Sequence, residues 1–375
     1  MPDWSALGVT RREFAAARTL PAAVYTSAQV FALEQRGIFA RHWLCVARAG
    51  DIAQPGDYRL AQVAGDSVLL VRGYDGRLRA FFNVCRHRGA RLLDAPAGHI
   101  GAGIVCPYHA WRYGADGRLL AAPQMPDDFC RDEQSLIAVP LAEWEGFVFV
   151  NLDAAALPFA QACADLPDLR RYRIADLVCG RRIEYLVNAN WKLIAENYSE
   201  CYHCPSAHPQ LHALTELIAR SERPMEGGRC FNGGPMRLRD GVQTMSRSGR
   251  STLPRLPGLD DAAARYVYYY VIYPNFLLSP HPDYVMTHLL LPLAPDRTRV
   301  VCEFLFPRAV VDAADFAPQD IVDFWDLTNR QDWDLCERAQ AGATSRGYRP
   351  GPYSLVEDCV HRFDRWYAEH LAALL

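Results

Sequence analysis

Cys85-Arg-His87-Arg-Gly89, followed by Cys106-Pro-Tyr-His109, is the stretch that decides the fold. Each short loop carries one thiolate and one imidazole. Two Cys on one iron and two His on the other is the ligand set of a Rieske [2Fe–2S] centre, whose potential imidazole ligation raises. A structural zinc ion also accepts two Cys and two His. Zinc motifs, however, usually pair Cys with Cys and His with His along the chain. One of each per loop suits two irons bridged by sulfide, each loop giving its Cys to one iron and its His to the other. Cys85, His87, Cys106 and His109 are the expected cluster ligands.

Outward from these loops the pattern is β-rich. Tyr58 to Val63, Ser67 to Arg72 and Leu78 to Val84 are short strand-like runs, separated by Ala64-Gly65-Asp66 and Asp75-Gly76 turns. Asp116-Gly117 marks another hairpin, and Gly146 to Asn151 closes the region as a strand. A small all-β domain over residues 44–155 is expected, with the cluster on two loop tips, where a rigid sheet usually presents such sites. Before it, residues 1–43 form a helical segment, with apolar residues recurring at helical spacing from Ser27 to Trp43. After it, an Ala-, Pro- and Asp-rich stretch from Asp153 to Arg171 marks the boundary of a second domain, 156–375.

That second domain reads as strand, helix, loop, sheet and helices. Arg182 to Val187 is a strand feeding a helical run from Asn190 to Tyr198. Gly227 to Pro257, rich in Gly, Ser and Arg, is expected to be a long loop or lid. Tyr266 to Tyr273, Tyr284 to Leu291 and Arg299 to Phe306 suggest a three-strand meander, and helices are expected near Pro318 to Ala341 and Ser354 to Leu374. The overall class is therefore α+β.

A second metal site is legible in Glu196-Asn-Tyr-Ser-Glu200-Cys-Tyr-His203-Cys-Pro-Ser-Ala-His208. Pro205 breaks the helical run between the two His, which lets their side chains converge. Two His and one carboxylate form the facial triad of non-haem Fe(II) oxygenases. The third ligand must then come from a distant Asp or Glu. Asp332 shares a helical stripe with Trp325, Thr328, Leu335 and Cys336, whereas Asp334, the weaker candidate, lies beside Arg330, Glu337 and Arg338 on a solvated face. A buried carboxylate is paired or bound to metal, which favours Asp332. Glu200, three residues before His203, is placed to accept its second ring N–H; the alternative is an ordinary exposed Glu. His281 and His288 flank strands, as core or pocket residues, and His99 and His212 have no assigned role.

Composition narrows the class. The 375 residues allow two domains at roughly 100–200 residues each. Half the residues are apolar, and the net charge of -3 with no basic run argues against nucleic acid as a partner. No run approaches the roughly 18 apolar residues of a membrane span, and the N-terminus lacks signal-peptide order, so a cytoplasmic location is expected. Of the 12 Cys, those outside the cluster are expected to be buried small hydrophobes in a reducing compartment.

With these residues in view, the chain resembles the α subunits of Rieske non-haem iron oxygenases over nearly its whole length. The resemblance rests on Cys85-x-His87 with Arg88-Gly89, Cys106-Pro-Tyr-His109, the Glu-Asn…Tyr-His…His run and Gln331-Asp332…Leu335-Cys336-Glu337. It implies a helix-grip catalytic domain, an N-terminal helix packed on it, and head-to-tail homotrimers. In these, Glu200 would bridge His203 and His109 of the partner subunit. It also implies a separate NAD(P)H-dependent flavin and iron–sulfur reductase, with His203, His208 and Asp332 on Fe(II). Two departures stand out: the family's bridging acid is usually Asp, and the Gly that commonly follows the second cluster His is Ala110. Tyr273 to Tyr284 and Ser345 to Gly351 most resemble oxygenases acting on quaternary ammonium compounds, such as glycine betaine and choline monooxygenases. N-demethylation of such a compound is the expected reaction. Rivals are an aromatic-ring dioxygenase or monooxygenase with the same metals, and, from a different class, an electron carrier or zinc-stabilised module without catalysis.

Overall fold

The computed structural model describes residues 4–216 and 224–375, so the first three residues of the expected N-terminal segment lie outside it. It divides into two compact units, one of Phe39–Pro158 and one of the described residues to Ile38 with Phe159–Leu375.

The Phe39–Pro158 unit is all β. Its strands are β1 (Leu44–Arg48), β2 (Asp57–Val63), β3 (Asp66–Arg72), β4 (Leu78–Phe82), β5 (Ala97–His99), β6 (Ile104–Val105), β7 (Arg112–Tyr113), β8 (Leu119–Ala121), β9 (Ala138–Val139), β10 (Leu141–Trp144) and β11 (Phe147–Val150). They form antiparallel sheets in the orders β5-β2-β3-β4-β9, β1-β11-β10 and β6-β7-β8. The Cys85 loop follows β4, and the Cys106 loop joins β6 to β7. Both close the same way: Cys85 N–H donates to Ala90 O at 2.8 Å, and Cys106 N–H to Trp111 O at 2.8 Å. Gly89 and Ala110 each donate back to the loop's Cys carbonyl, at 3.1 Å in both. Each of the two has positive φ, +71° for Gly89 and +57° for Ala110. That backbone conformation is why Gly suits the position, and Ala110 adopts it with a Cβ in place.

The second unit holds one antiparallel sheet, ordered β12-β18-β17-β16-β15-β14-β13. These strands are β12 (Leu177–Val187), β13 (Glu226–Gly227), β14 (Phe231–Arg237), β15 (Tyr266–Ile272), β16 (Phe276–Pro280), β17 (Val285–Ala294) and β18 (Arg297–Pro307). Its principal helices are α1 (Ala28–Glu34), α2 (Trp191–Tyr198), α3 (Cys204–Ala207), α4 (Pro209–His212), α5 (Gln319–Ala343) and α6 (Asp358–Ala372). At 25 residues, α5 runs roughly 38 Å. It is pinned to the sheet by polar contacts: Trp325 Nε1 donates to Tyr284 OH at 2.6 Å, and Tyr185 OH to Asp326 at 2.8 Å. The fold is α+β, an antiparallel sheet gripping a long helix. No helix of the described residues is long and apolar enough to cross a membrane.

Glu34, on α1, ties three elements together. It accepts from Lys192 Nζ at 2.6 Å, Trp191 Nε1 at 3.0 Å and Tyr367 OH at 2.5 Å. Both Glu34 and Lys192 are fully buried. Such a pair is tolerated because every remaining acceptor site is hydrogen-bonded.

Several expectations need correction. The helix expected from Ser27 to Trp43 is capped by Ser27, continues as a π-type turn over Gln35–Phe39 and ends there. Trp43 lies outside the helix, just before β1, its Nε1 bonded to Leu157 O at 3.0 Å. The expected Gly227–Pro257 loop contains β14, and the meander is part of a seven-stranded sheet. Phe231-Asn-Gly-Gly-Pro-Met-Arg237 lacks strand propensity, but Gly233 is required there because a Cβ would lie 2.0 Å from Tyr269 O. Among the cysteines, Cys201 and Cys204 are joined as a disulfide and Cys130 is exposed.

Candidate metal centres and substrate cavity

The first site gathers on the two matching loops. Cys85 and Cys106 are each 2% exposed, inside the apolar core with Ile104, Trp111 and Tyr113. His87 and His109 are exposed, with ring centroids 4.7 Å apart. Cysteines inward and imidazoles outward is the polarity a Rieske cluster needs, since its His-ligated iron meets redox partners. Trp111 lies flat against His87, centroids 4.8 Å apart at 9°. Tyr113 OH stands 3.3 Å from Cys85 Sγ and accepts from Arg86 N–H at 3.0 Å. Burial, then the contact with Cys85, raises the Tyr113 pKa, so its proton stays on to face the sulfur. Sequence reading passed over Trp111 and Tyr113, although their place directly after His109 was the available signal.

The second site is built by α2, the turn after it, and α5. His208 Nε2 lies 2.8 Å from Asp332 Oδ1, His203 Nε2 lies 3.2 Å from the same oxygen, and the two Nε2 atoms are 3.1 Å apart. All three donor atoms fall within 4.8 Å of one another. That spread is small enough for one ion, at ligand distances of about 2.0–2.2 Å, to reach them all with modest side-chain adjustment. The opposite ring nitrogens are committed elsewhere. His203 Nδ1 faces Glu200 Oε1 at 2.5 Å, and His208 Nδ1 faces Gln331 Oε1 at 2.8 Å. Both oxygens can only accept, so each Nδ1 carries the proton and each Nε2 is left as a ligand atom. Gln331 is a further residue whose role the sequence reading did not assign.

Glu200 is held as well as holding. Its other oxygen accepts from the backbone N–H of Tyr202 and, at 3.2 Å, from that of His203. Burial works against a charged His203, but hydrogen bonds to Asp332 and Glu200 outweigh it and raise its pKa to about 10. Asp332 is depressed despite its burial, because in the metal-free site both imidazoles donate to it through Nε2; a bound cation would take the place of those two protons and leave the Nε2 lone pairs as ligands. Three groups so arranged focus on a point where a cation belongs. Asp334 is elsewhere: its side chain is 60% exposed and paired with Arg338 at 2.6 Å.

These residues open on a cavity. Its aromatic wall comprises Tyr198, Tyr269, Trp325 and Trp333, with Met286 and His288 among them. Tyr269 meets Tyr198 edge-on at 5.9 Å and Trp325 at 6.2 Å. On β15, then, the face of Tyr269 and Val271 lines the cavity. Tyr268 and Tyr270 stack on one another at 5.9 Å, and Arg171 bonds to Tyr268 OH. The lining includes Glu200 and Asp332 but, among the described residues, no Lys or Arg. His288 is fully enclosed, its Nε2 3.2 Å from Asn329 Oδ1, and burial lowers its pKa to about 4. His281 is buried against Tyr284, while His99 is exposed beside Asp57. His212 accepts from Arg239 through its carbonyl.

Comparison with known proteins agrees with this geometry. Residues 42–143 match the Rieske [2Fe-2S] domain, and residues 174–373 match the ring hydroxylating alpha subunit (catalytic domain). The chain is 34% identical to a glycine betaine monooxygenase oxygenase subunit of Chromohalobacter salexigens, covering 95% of this chain and 86% of that protein. It is 32% identical to a carnitine monooxygenase oxygenase subunit of Escherichia coli K12, over 88% and 86% of the two chains. The structure matches that of a quaternary ammonium Rieske monooxygenase, described for carnitine oxidation and inter-subunit electron transfer. The TM-score is 0.80 and the identity 27%, with 99% and 98% of the two chains covered.

Proposed function

This chain belongs to the family of ring-hydroxylating Rieske oxygenase α subunits, with a [2Fe–2S] cluster and a mononuclear iron, and from that premise we propose that it N-demethylates a quaternary ammonium compound such as glycine betaine. Cys85, His87, Cys106 and His109 hold the cluster in this proposal, and His203, His208 and Asp332 hold the iron. The iron supplies oxygen activation beside the substrate when bound. A separate NAD(P)H-dependent flavin and iron–sulfur reductase supplies the electrons.

The observation that carries the substrate class is the cavity wall. A quaternary ammonium group cannot donate a hydrogen bond, so a protein holds it against aromatic faces, each contact worth roughly 0.5–2 kcal/mol. Tyr198, Tyr269, Trp325 and Trp333 offer such faces, and the lining carries carboxylates without a described Lys or Arg to repel a cation. Hydroxylation of one N-methyl carbon consumes O2, two electrons and two protons and releases water. The resulting hemiaminal then breaks its C–N bond, giving formaldehyde, the tertiary amine and a proton. The chain's own contribution is to hold the N-methyl group near the three donor atoms and to keep each Nδ1 proton fixed on Glu200 and Gln331.

The names of the relatives support the same class. The solved relative's own description includes inter-subunit electron transfer, which supports electron transfer between subunits here; the assembly proposed for it is a homotrimer in which Glu200 accepts from His203 and from His109 of the partner subunit. A substrate panel with a surrogate reductase tests the reading. Glycine betaine, carnitine or choline should drive NADH consumption matched by formaldehyde release. Consumption on naphthalene or benzoate, without formaldehyde from any quaternary ammonium compound, would establish ring hydroxylation instead.

A further inference from the structure

Cys201 and Cys204 bracket His203 on the turn between α2 and α3. Their sulfurs are joined, and their Cα atoms are 4.9 Å apart. They are 8% and 4% exposed, and both line the substrate cavity beside His203, His208 and Asp332. Cys204 Sγ stands 4.0 Å from His203 Nε2. That is the nitrogen facing Asp332 and His208. Two donors on one tetrahedral ion, with metal–nitrogen and metal–sulfur bonds of about 2.0 and 2.3 Å, are themselves roughly 3.6 Å apart. The sulfur is therefore close to ligand spacing from that nitrogen, and what occupies its valence is Cys201.

We propose that the Cys201–Cys204 pair is a redox guard on the metal centre. Joined, the sulfurs are tied to each other, and the site offers two imidazoles and a carboxylate. A dithiol reductant opens the bond in a two-electron exchange: its two thiols become its own disulfide, and Cys201 and Cys204 take up the two protons. Cys204 is then free to give its proton to solvent and ligate as a thiolate, the fourth donor beside His203, His208 and Asp332. Zn2+ favours such a closed tetrahedral set with a soft donor, whereas an Fe(II) oxygenase site needs open positions. The bond thus keeps a competing sulfur away from the iron. The pair also encloses Tyr202 and His203 in one small ring, which fixes the backbone from which His203 reaches Glu200.

The inference rests on the reading of His203, His208 and Asp332 as a metal site, and zinc X-ray absorption separates the two claims. The holoenzyme, with its cluster retained and the mononuclear metal removed by a chelator, is divided into disulfide and dithiol forms, verified by thiol alkylation and mass. Each form is loaded with stoichiometric Zn2+. The dithiol form and Cys201→Ser should both show a sulfur shell at about 2.3 Å, and the disulfide form only nitrogen and oxygen near about 2.0 Å. Cys204→Ser should lose the sulfur shell yet keep its zinc. A nitrogen–oxygen shell alone in both the dithiol form and Cys201→Ser would overturn the guard and leave the His–His–Asp site standing, as would a sulfur shell that survives Cys204→Ser. Zinc bound no less well by His203→Ala and His208→Ala would overturn both.

Discussion

Glu200 Oε1 lies 2.5 Å from His203 Nδ1, and that contact settles which nitrogen of His203 is left to face Asp332. A carboxylate accepts and cannot donate, so it fixes the proton on Nδ1 and the lone pair on Nε2. Glu200 is itself fixed by two backbone N–H groups of the same turn. The longer Glu, in place of the family's usual Asp, thus folds back on its own loop and still reaches the imidazole.

Replacing Glu200 separates its two duties. Glu200→Ala should weaken iron binding or turnover by about 10–100-fold, the usual cost of removing a residue that orients a metal ligand. Glu200→Gln keeps an acceptor for Nδ1 and should retain both metal centres, but lose substrate-dependent electron transfer in single turnover. Full single-turnover activity in that variant would remove Glu200 from the electron path.

Tyr113 should tune the cluster. Its hydroxyl faces Cys85 Sγ at 3.3 Å from a fully buried position. A hydrogen bond to a ligand sulfur stabilises the more negative, reduced cluster, so Tyr113→Phe should lower the reduction potential. Protein-film voltammetry reads this directly. An unchanged potential would mean that the hydroxyl serves Arg86 N–H alone.

Ala110 sits at φ +57° in a position matched by Gly89 on the other cluster loop. A left-handed Ala costs roughly 1–2 kcal/mol, partly offset by the extra freedom that Gly brings to the unfolded chain, about 0.4–1 kcal/mol. Ala110→Gly should therefore stabilise the protein by about 0.5–1 kcal/mol, read from denaturant midpoints at constant slope. Destabilisation would show that the Ala110 methyl makes a contact that outweighs the backbone strain.

Glu196 and Asp364 form a buried acid pair in the second unit. Tyr25 OH donates to Glu196 at 2.8 Å and Tyr353 OH to Asp364 at 2.6 Å, while Asp364 Oδ1 finds no donor unless Glu196 carries a proton. Burial, then mutual repulsion, raises the Glu196 pKa. Burial likewise raises that of Asp364, which also faces Glu357, and Lys192 is the nearby cation opposing both shifts. An acid whose folded pKa is raised binds its proton more tightly when folded. Its stabilisation is complete below the unfolded value of about 4 and is lost as pH rises through the raised value. Asp364→Asn should flatten that decline in stability. An identical pH slope in the variant would show that the pair is not the titrating element.

Much of this was written locally. The cluster loops depend on spacings of two and three residues, and the helical stripe of α5 puts Asp332 on the inner face and Asp334 on the outer one. Asp332 nevertheless meets His208 across 124 positions, and only periodicity on a long helix could single it out. What stayed hidden depended on the assembled sheet. Gly233 and Gly234 look like turn residues until β15 is placed beside them. The cavity face of β15 could not be chosen by alternation alone, because both faces carry Tyr and apolar residues. The Cys201–Cys204 bond is not legible either, since nothing in the spacing of the two residues says that α2 ends at Tyr198 and that a turn brings their sulfurs together before α3 begins.

The most direct measurement is the ratio of iron to acid-labile sulfide in the wild type and in three variants, with the reduced cluster's EPR signal recorded on each sample. A wild-type ratio of about three to two is expected for one [2Fe–2S] cluster and one further iron. His208→Ala and Asp332→Ala should fall to about two to two with the cluster signal intact. Asp334→Ala, which loses only an exposed ion pair worth about 0.2–1 kcal/mol, should match the wild type. An Asp332→Ala protein that keeps the third iron, or an Asp334→Ala protein that loses it, would contradict the assignment of the mononuclear site.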